Sequence, residues 1–239
     1  MFLLLFYLLS VFYIIDKYIC TPIILKMNKK LIIGSKDHGR TRWYLLHIFI
    51  NILTTITAFN GVYLTYLNPY TSLSPIAFAK PYTLDWFIGP TSPLPTLIVA
   101  SGHLYHILFF STTKSDIYHH LTFAGTMCTI NMLGNYGNAR NVIQFVLSGL
   151  PGIIEYSIMV LYKFEFVNKK QMRYSVTVMH CLLRFPLGLW ASWIMFYQIL
   201  FNSEVVYLFM TLIVCMLVLL NSTQYCFENI SSSIRHYQN

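Results

Sequence analysis

Ser115-Asp116-Ile117-Tyr118-His119-His120 sets an acid and two adjacent imidazoles between two apolar runs, 95–110 before it and 121–133 after it. Ionisable groups at the mouth of an oily helix are expensive in lipid, so they should face protein or water. On a helix, Asp116 stands three and four residues before His119 and His120, and its carboxylate can reach either ring. That arrangement suits general acid–base chemistry, with Asp116 fixing a tautomer and raising the basicity of its histidine. The plainer alternative is a helix cap favoured by the macrodipole, with interfacial histidines hydrogen-bonded between helices. His103 and His106, three apart near the end of the preceding run, can face the same zone and are candidates for holding a lipid substrate.

Two more charges lie deep in apolar sequence. Glu155 and Arg184 would each be costly alone, so a buried pair or a shared polar cavity is expected, with orientation of a lipid headgroup as the sharper alternative. His-x-x-His followed by Asp-x-x-His-His also invites a di-iron reading, but such sites need about eight histidines. The whole chain has eight, and His38 and His236 lie in polar ends, so no metal is expected. The five cysteines are scattered singly without a CxxC, which points to reduced packing residues.

These groups need elements to carry them. The 239 residues are 56% hydrophobic and only 10% charged, against roughly 25% charged in an ordinary soluble domain, so the chain cannot cover itself with polar surface. The expected fold is all-α, a polytopic transmembrane bundle of about seven spans: 1–26, 43–67, 96–111, 117–133, 142–162, 174–201 and 205–220. The first run has neither a basic segment before it nor a small-residue cleavage site after it, and reads as a retained helix. Asp16 and Lys17 interrupt it and should pair with each other or snorkel. Residues 68–95 hold six prolines and read as an ordered interfacial loop, with a short re-entrant piece near 84–89. Ser148-Gly149-Leu150-Pro151-Gly152 should kink the fifth span and admit neighbouring backbones closely.

Alternating the loops across seven spans collects twelve Lys and Arg on one side and only Lys80 and Arg140 on the other, with Lys17 and Arg184 inside spans. The positive-inside rule then places the N-terminus outside and the C-terminus, with His119 and His120, at the cytosolic face. The chain divides into three stretches: 1–42, a first helix and basic loop; 43–201, the membrane core; and 202–239, a last helix and polar tail. The net charge of +8 sits in short loops between apolar runs, which suits anionic lipid, and nucleic acid is not expected. Asn221-Ser222-Thr223 and Asn229-Ile230-Ser231 are formal glycosylation sequons that this topology leaves unmodified.

From about Trp43 to Phe201 the chain resembles the TLC-domain family, the membrane fold of the ceramide synthases and lipid-regulating relatives. The resemblance rests on Asp116-Ile117-Tyr118-His119-His120 opening a helix and on an Asn- and Gly-containing turn at 135–141. It continues with Ser148 to Gly152 leading to Glu155-Tyr156, and with Arg184-Phe185-Pro186 in the next helix. Ceramide synthases carry a paired histidine implicated in N-acylation, which His119 and His120 match. Their motif continues with further acidic residues, for which only Glu155 has a counterpart here. The resemblance implies acyl transfer in which a histidine takes a proton from an amine or hydroxyl attacking a thioester, with acyl-CoA as co-substrate and no bound cofactor. Its other members imply a non-enzymatic lipid-binding or membrane-organising protein. Membrane lipids are the expected partners, a homo-oligomer is left open, and the expected location is the endoplasmic reticulum or another endomembrane. A seven-helix receptor would share helix number and orientation, but DRY-like and NPxxY-like motifs are missing.

Overall fold

The computed structural model describes residues 2–28, 30–72, 83–134, 136–201 and 205–237, and every regular element among them is helical. We number seven rods. Helix α1 runs from Phe2–Ile15 through a π-helical stretch, Asp16–Cys20, into Thr21–Met27, and α2 is Lys36–Leu67. Helix α3 is Leu94–Phe109, and α4 joins Lys114–His119, π-helical His120–Gly125 and Thr126–Leu133. Helix α5 joins Ala139–Gln144, π-helical Phe145–Gly149 and Leu150–Lys163. Helix α6 joins Lys169–Met179, π-helical His180–Arg184 and Phe185–Tyr197, and α7 is Val205–Tyr237. Five of them, α1, α2, α5, α6 and α7, are long and apolar enough to cross a membrane. Helix α3, at 16 residues, is only about 24 Å long.

Local chemistry explains where the rods begin. Helix α2 starts at Lys36 rather than at Trp43, because the Ser35 side chain accepts the His38 N–H at 3.1 Å and Asp37 sits in the positive first turn. Much of the expected basic loop is therefore helix. Helix α7 continues unbroken past Leu220, so the polar tail is helical as far as Tyr237. In the long connection, Leu84–Ile88 forms a short helix capped by Thr83, with Trp86 buried; residues 73–82 of that loop lie outside the described residues. So does Asn135 of the turn before α5, in which Gly137 takes φ +51°.

Asp16 corrects an expectation. It does not pair with Lys17: it is fully buried and takes a two-pronged ion pair from Arg42, Nε to Oδ1 at 2.8 Å and Nη2 to Oδ2. The Tyr105 hydroxyl donates to the same carboxylate at 3.0 Å. A fixed guanidinium fork matches a buried carboxylate better than an ammonium that can reach water, and Lys17 instead lies over the Tyr13 ring at 5.8 Å.

Helix α2 packs on α3 and α5, α5 on α6, α6 on α7, and α4 bridges α7 and α3, so six rods close a ring with α1 outside against α2 and α3. One apolar cluster joins α5, α6 and α7 through Ile143, Val146, Ile194 and Val218; another joins α1, α2 and α3 through Phe12, Leu46 and Ile50. At one end, Lys163 pairs with Asp37 at 2.6 Å and Asn28 donates to the Lys163 carbonyl at 2.8 Å, tying the α1–α2 and α5–α6 connections together. At the other end Ala139–Gln144, all six residues buried, touches α2, α3 and α6 and plugs the ring.

Candidate functional site

The ring encloses a cavity of ≈ 820 Å³ lined from all six rods. Its wall on α2 runs from Lys36 and Arg40 at one end to Asn51 at the other, 15 residues or about 22 Å along the helix. Three of the π-helical stretches, His120–Gly125, Phe145–Gly149 and His180–Arg184, lie in helices that line the cavity, and the last brings Arg184 to its wall. Each adds a residue to a turn and rotates the remainder of its helix, and His120, His180 and Arg184 all sit in such stretches.

His120 is the centre of a chain of three imidazoles. Its Nδ1 lies 2.7 Å from Nδ1 of His103, and its Nε2 lies 2.8 Å from Nδ1 of His106. A neutral imidazole has one N–H and one acceptor nitrogen, so the chain has two arrangements. Either His103 donates to His120 and His120 to His106, or every proton shifts to the other nitrogen. The three rings can thus pass a proton from α3 through α4 and back without any ring leaving its place. Trp43 stacks on His106 with centroids 3.9 Å apart and fixes that end.

His119 stands differently. It is half-buried, lines the cavity, stacks on Phe123 at 5.5 Å and meets the edge of Tyr225 at 6.4 Å. Adjacent residues on a helix diverge by about 100°, which is why one histidine enters the inter-helix chain while its neighbour faces the cavity.

Asp116 is engaged elsewhere. Its carboxylate accepts the Thr113 backbone N–H at 2.7 Å and the Thr113 hydroxyl at 2.8 Å, while Thr113 Oγ1 accepts the Asp116 N–H at 3.2 Å. This reciprocal capping box secures the start of α4. Burial acts to raise the Asp116 pKa, but the hydrogen bonds from the Thr113 backbone and side chain prevail and hold it below the usual carboxylate range.

Glu155 and Arg184 do meet, Oε2 to Nη2 at 2.9 Å, and both line the cavity. His180 Nε2 stands 3.5 Å from the other carboxylate oxygen, and the guanidinium lies over the Tyr225 ring at 5.5 Å. Arg184 is therefore held in place by an anion and an aromatic face.

His47 is a member of the site that the sequence reading missed. It stacks flat on Tyr156, with centroids 4.2 Å apart and planes 5° apart, and lies 6.2 Å from the His103 ring. An ionisable residue inside the second apolar run, five positions from its start, was the signal that could have found it. Asn51 and Gln144 also line the cavity; as neutral amides they gave no such signal.

The imidazole nitrogens aim at one another at hydrogen-bond distance rather than at a common point. Among the described residues no group of three or more His, Cys, Asp or Glu is placed to hold a metal ion. Compared with protein families, curated proteins and solved structures, the chain matches none of them.

Proposed function

We propose that this chain is a multi-pass membrane protein of TLC-like fold that draws a lipid acyl chain into the ring and transfers it to an amine or hydroxyl. The observation that carries the reading is His119: a half-buried imidazole lining an ≈ 820 Å³ cavity beside a three-histidine chain. In this reading His119 accepts the proton of the attacking amine or hydroxyl as its nitrogen or oxygen bonds to the thioester carbonyl. The carbon–sulfur bond breaks, and the thiolate takes the proton back from the imidazolium, so acyl-CoA and acceptor become acylated acceptor and free thiol. Arg184, steadied by Glu155, faces the polar head of the acceptor. Lys36 and Arg40, at the end of the cavity wall where the basic connections gather, suit the phosphates of coenzyme A. Seven crossings with the N-terminus outside and an endomembrane location such as the endoplasmic reticulum belong to the same proposal. They are supported by the gathering of basic residues at one end of the ring.

A second reading, a non-enzymatic lipid binder of the same fold, is favoured by one observation. Both ring nitrogens of His120 and the Asp116 carboxylate are committed to protein partners, which leaves His119 without an orienting carboxylate. The deciding experiment incubates purified protein with radiolabelled hexadecanoyl-CoA and a panel of lipid amines and alcohols. Transfer that falls about 100-fold or more in His119→Ala supports the enzyme. Transfer unchanged by replacing both His119 and His120 rejects it, and co-purified lipid without turnover supports the binder.

A further inference from the structure

Two of the five cysteines are placed to do more than fill space. Cys20 and Cys128 are buried, and Cys215 donates its thiol to the Ser192 carbonyl at 3.3 Å. Cys181 on α6 and Cys226 on α7 are half-buried, and their Sγ atoms meet at 3.6 Å across 45 positions of sequence. Spacing gave no hint of this pair, because antiparallel rods join residues that are far apart in the chain.

The seam between the two rods holds the thiols in register. One turn before Cys181, the Thr177 and Ser233 hydroxyls meet at 2.8 Å. Two turns after it, Gly188 lies so close to Ser222 that a Cβ there would collide with the serine side chain. Small residues thus bring the backbones together on both sides of the pair. A disulfide needs its sulfurs about 2.05 Å apart, so each would move by less than about 1 Å. Half-burial also lets a small uncharged oxidant reach these sulfurs sooner than the enclosed ones of Cys20 and Cys128.

The place matters as much as the spacing. His180 directly precedes Cys181 and Tyr225 directly precedes Cys226, and those two rings stack with centroids 5.9 Å apart. Tyr225 and Arg184 line the cavity, so a bond between the thiols would tie α6 to α7 one residue behind that wall.

We propose that Cys181 and Cys226 are a redox-modification site, a dithiol that a hydroperoxide closes to a disulfide and small-molecule thiols reopen. One sulfur attacks a peroxide oxygen, the O–O bond breaks, water leaves and a sulfenic acid remains. The second sulfur attacks the sulfenic sulfur, whose hydroxyl departs with the second thiol's proton as another water, and the S–S bond forms. The two thiols have lost two electrons and the peroxide has gained them. Reopening consumes two equivalents of a thiol such as glutathione through a mixed disulfide. The inference stands apart from the lipid reading of the cavity.

The test uses the full chain, purified reduced in detergent, treated with hydrogen peroxide and digested without reductant. Mass spectrometry should find the Cys181 peptide joined to the Cys226 peptide within one chain, two hydrogens lighter than the sum of its parts. Alkylation of the unfolded chain should fall from five thiols to three, and reduced glutathione should restore five. Cys181→Ser and Cys226→Ser should each lack the joined peptide, whereas Cys128→Ala should keep it. Because the bond closes a 45-residue loop between rods already in contact, oxidised wild type should melt no lower than reduced. Five reactive thiols after peroxide, sulfinic acid at either residue in place of the joined peptide, or a link only between two chains overturns the site. Melting lowered by the bond overturns the claim that the seam holds the thiols ready.

Discussion

His103 and His120 meet nitrogen to nitrogen, Nδ1 to Nδ1 at 2.7 Å, across 17 positions of sequence and between two antiparallel rods. With His106 on the opposite side of His120, three rings share two hydrogen bonds and use every nitrogen that His120 has. The neighbouring His119 has a different task, and the two histidines should separate experimentally.

His120→Ala strands ring nitrogens of His103 and His106 in a buried setting and should lower stability by about 2–4 kcal/mol. His119→Ala, at a half-buried ring on the cavity wall, should change stability by under about 1 kcal/mol while removing transfer or altering the retained lipid. Thermal melting in detergent, run beside the lipid assay, separates the two. Equal destabilisation by both would contradict the division of roles.

Glu155 and Arg184 form a mostly buried pair at 2.9 Å. Arg184→Met leaves an uncompensated carboxylate beside His180 and should destabilise by about 3–5 kcal/mol, whereas Glu155→Gln/Arg184→Met should recover much of that loss. A double variant whose loss equals the sum of the losses in Arg184→Met and Glu155→Gln would mean that the two residues act independently.

The N-terminal rod is fastened by Asp16, Arg42 and Tyr105. Arg42→Met strands the Asp16 carboxylate, at a loss of about 3–5 kcal/mol, and should detach α1, which packs outside the ring. Tyr105→Phe removes a single hydroxyl donor and should lose about 1–2 kcal/mol. Faster proteolysis between α1 and α2 in Arg42→Met, relative to Tyr105→Phe, is the readout; identical cleavage would argue against this fastening.

At the start of α4, Asp116→Ala should remove about 1 kcal/mol of capping. The folded Asp116 pKa lies below its ordinary value, so its contribution is complete above the unfolded value, near 4, and disappears as pH falls through the lower folded one. A wild-type melting advantage over Asp116→Ala at pH 7 that narrows below about pH 4 is expected. An advantage independent of pH would assign the effect to packing.

Both sequons lie inside the continuous helix α7, with Asn221 buried and Ser222 fully buried. Glycan attachment at Asn221 or Asn229 is therefore not expected, on steric grounds as well as from the proposed topology. Expression in a eukaryotic membrane with and without a glycosidase checks it. A mobility shift abolished by Asn229→Gln would invert the orientation.

Much of the fold was legible because hydrophobicity and caps are local. Apolar runs marked the rods to within a few residues except at Lys36, where Ser35 capped a helix seven positions early, and at the end of α7, which continues past Leu220 to Tyr237. The Glu155–Arg184 pair was legible as well, since each charge is too costly to stand alone at that depth. Asp16 was equally costly, yet its partner was Arg42, 26 positions away, rather than the lysine beside it.

By itself the sequence determined that the described residues form helices, several of them long and apolar enough to cross a membrane, and which charged groups had to find company, because burial cost and helix length belong to each segment separately. The tertiary structure alone decided who meets whom: His120 with His103 and His106, Asp116 with Thr113, and Cys181 with Cys226. Those outcomes depend on how far each rod is rotated about its axis, and inserted π-helical residues reset that rotation without leaving a mark in the apolar pattern.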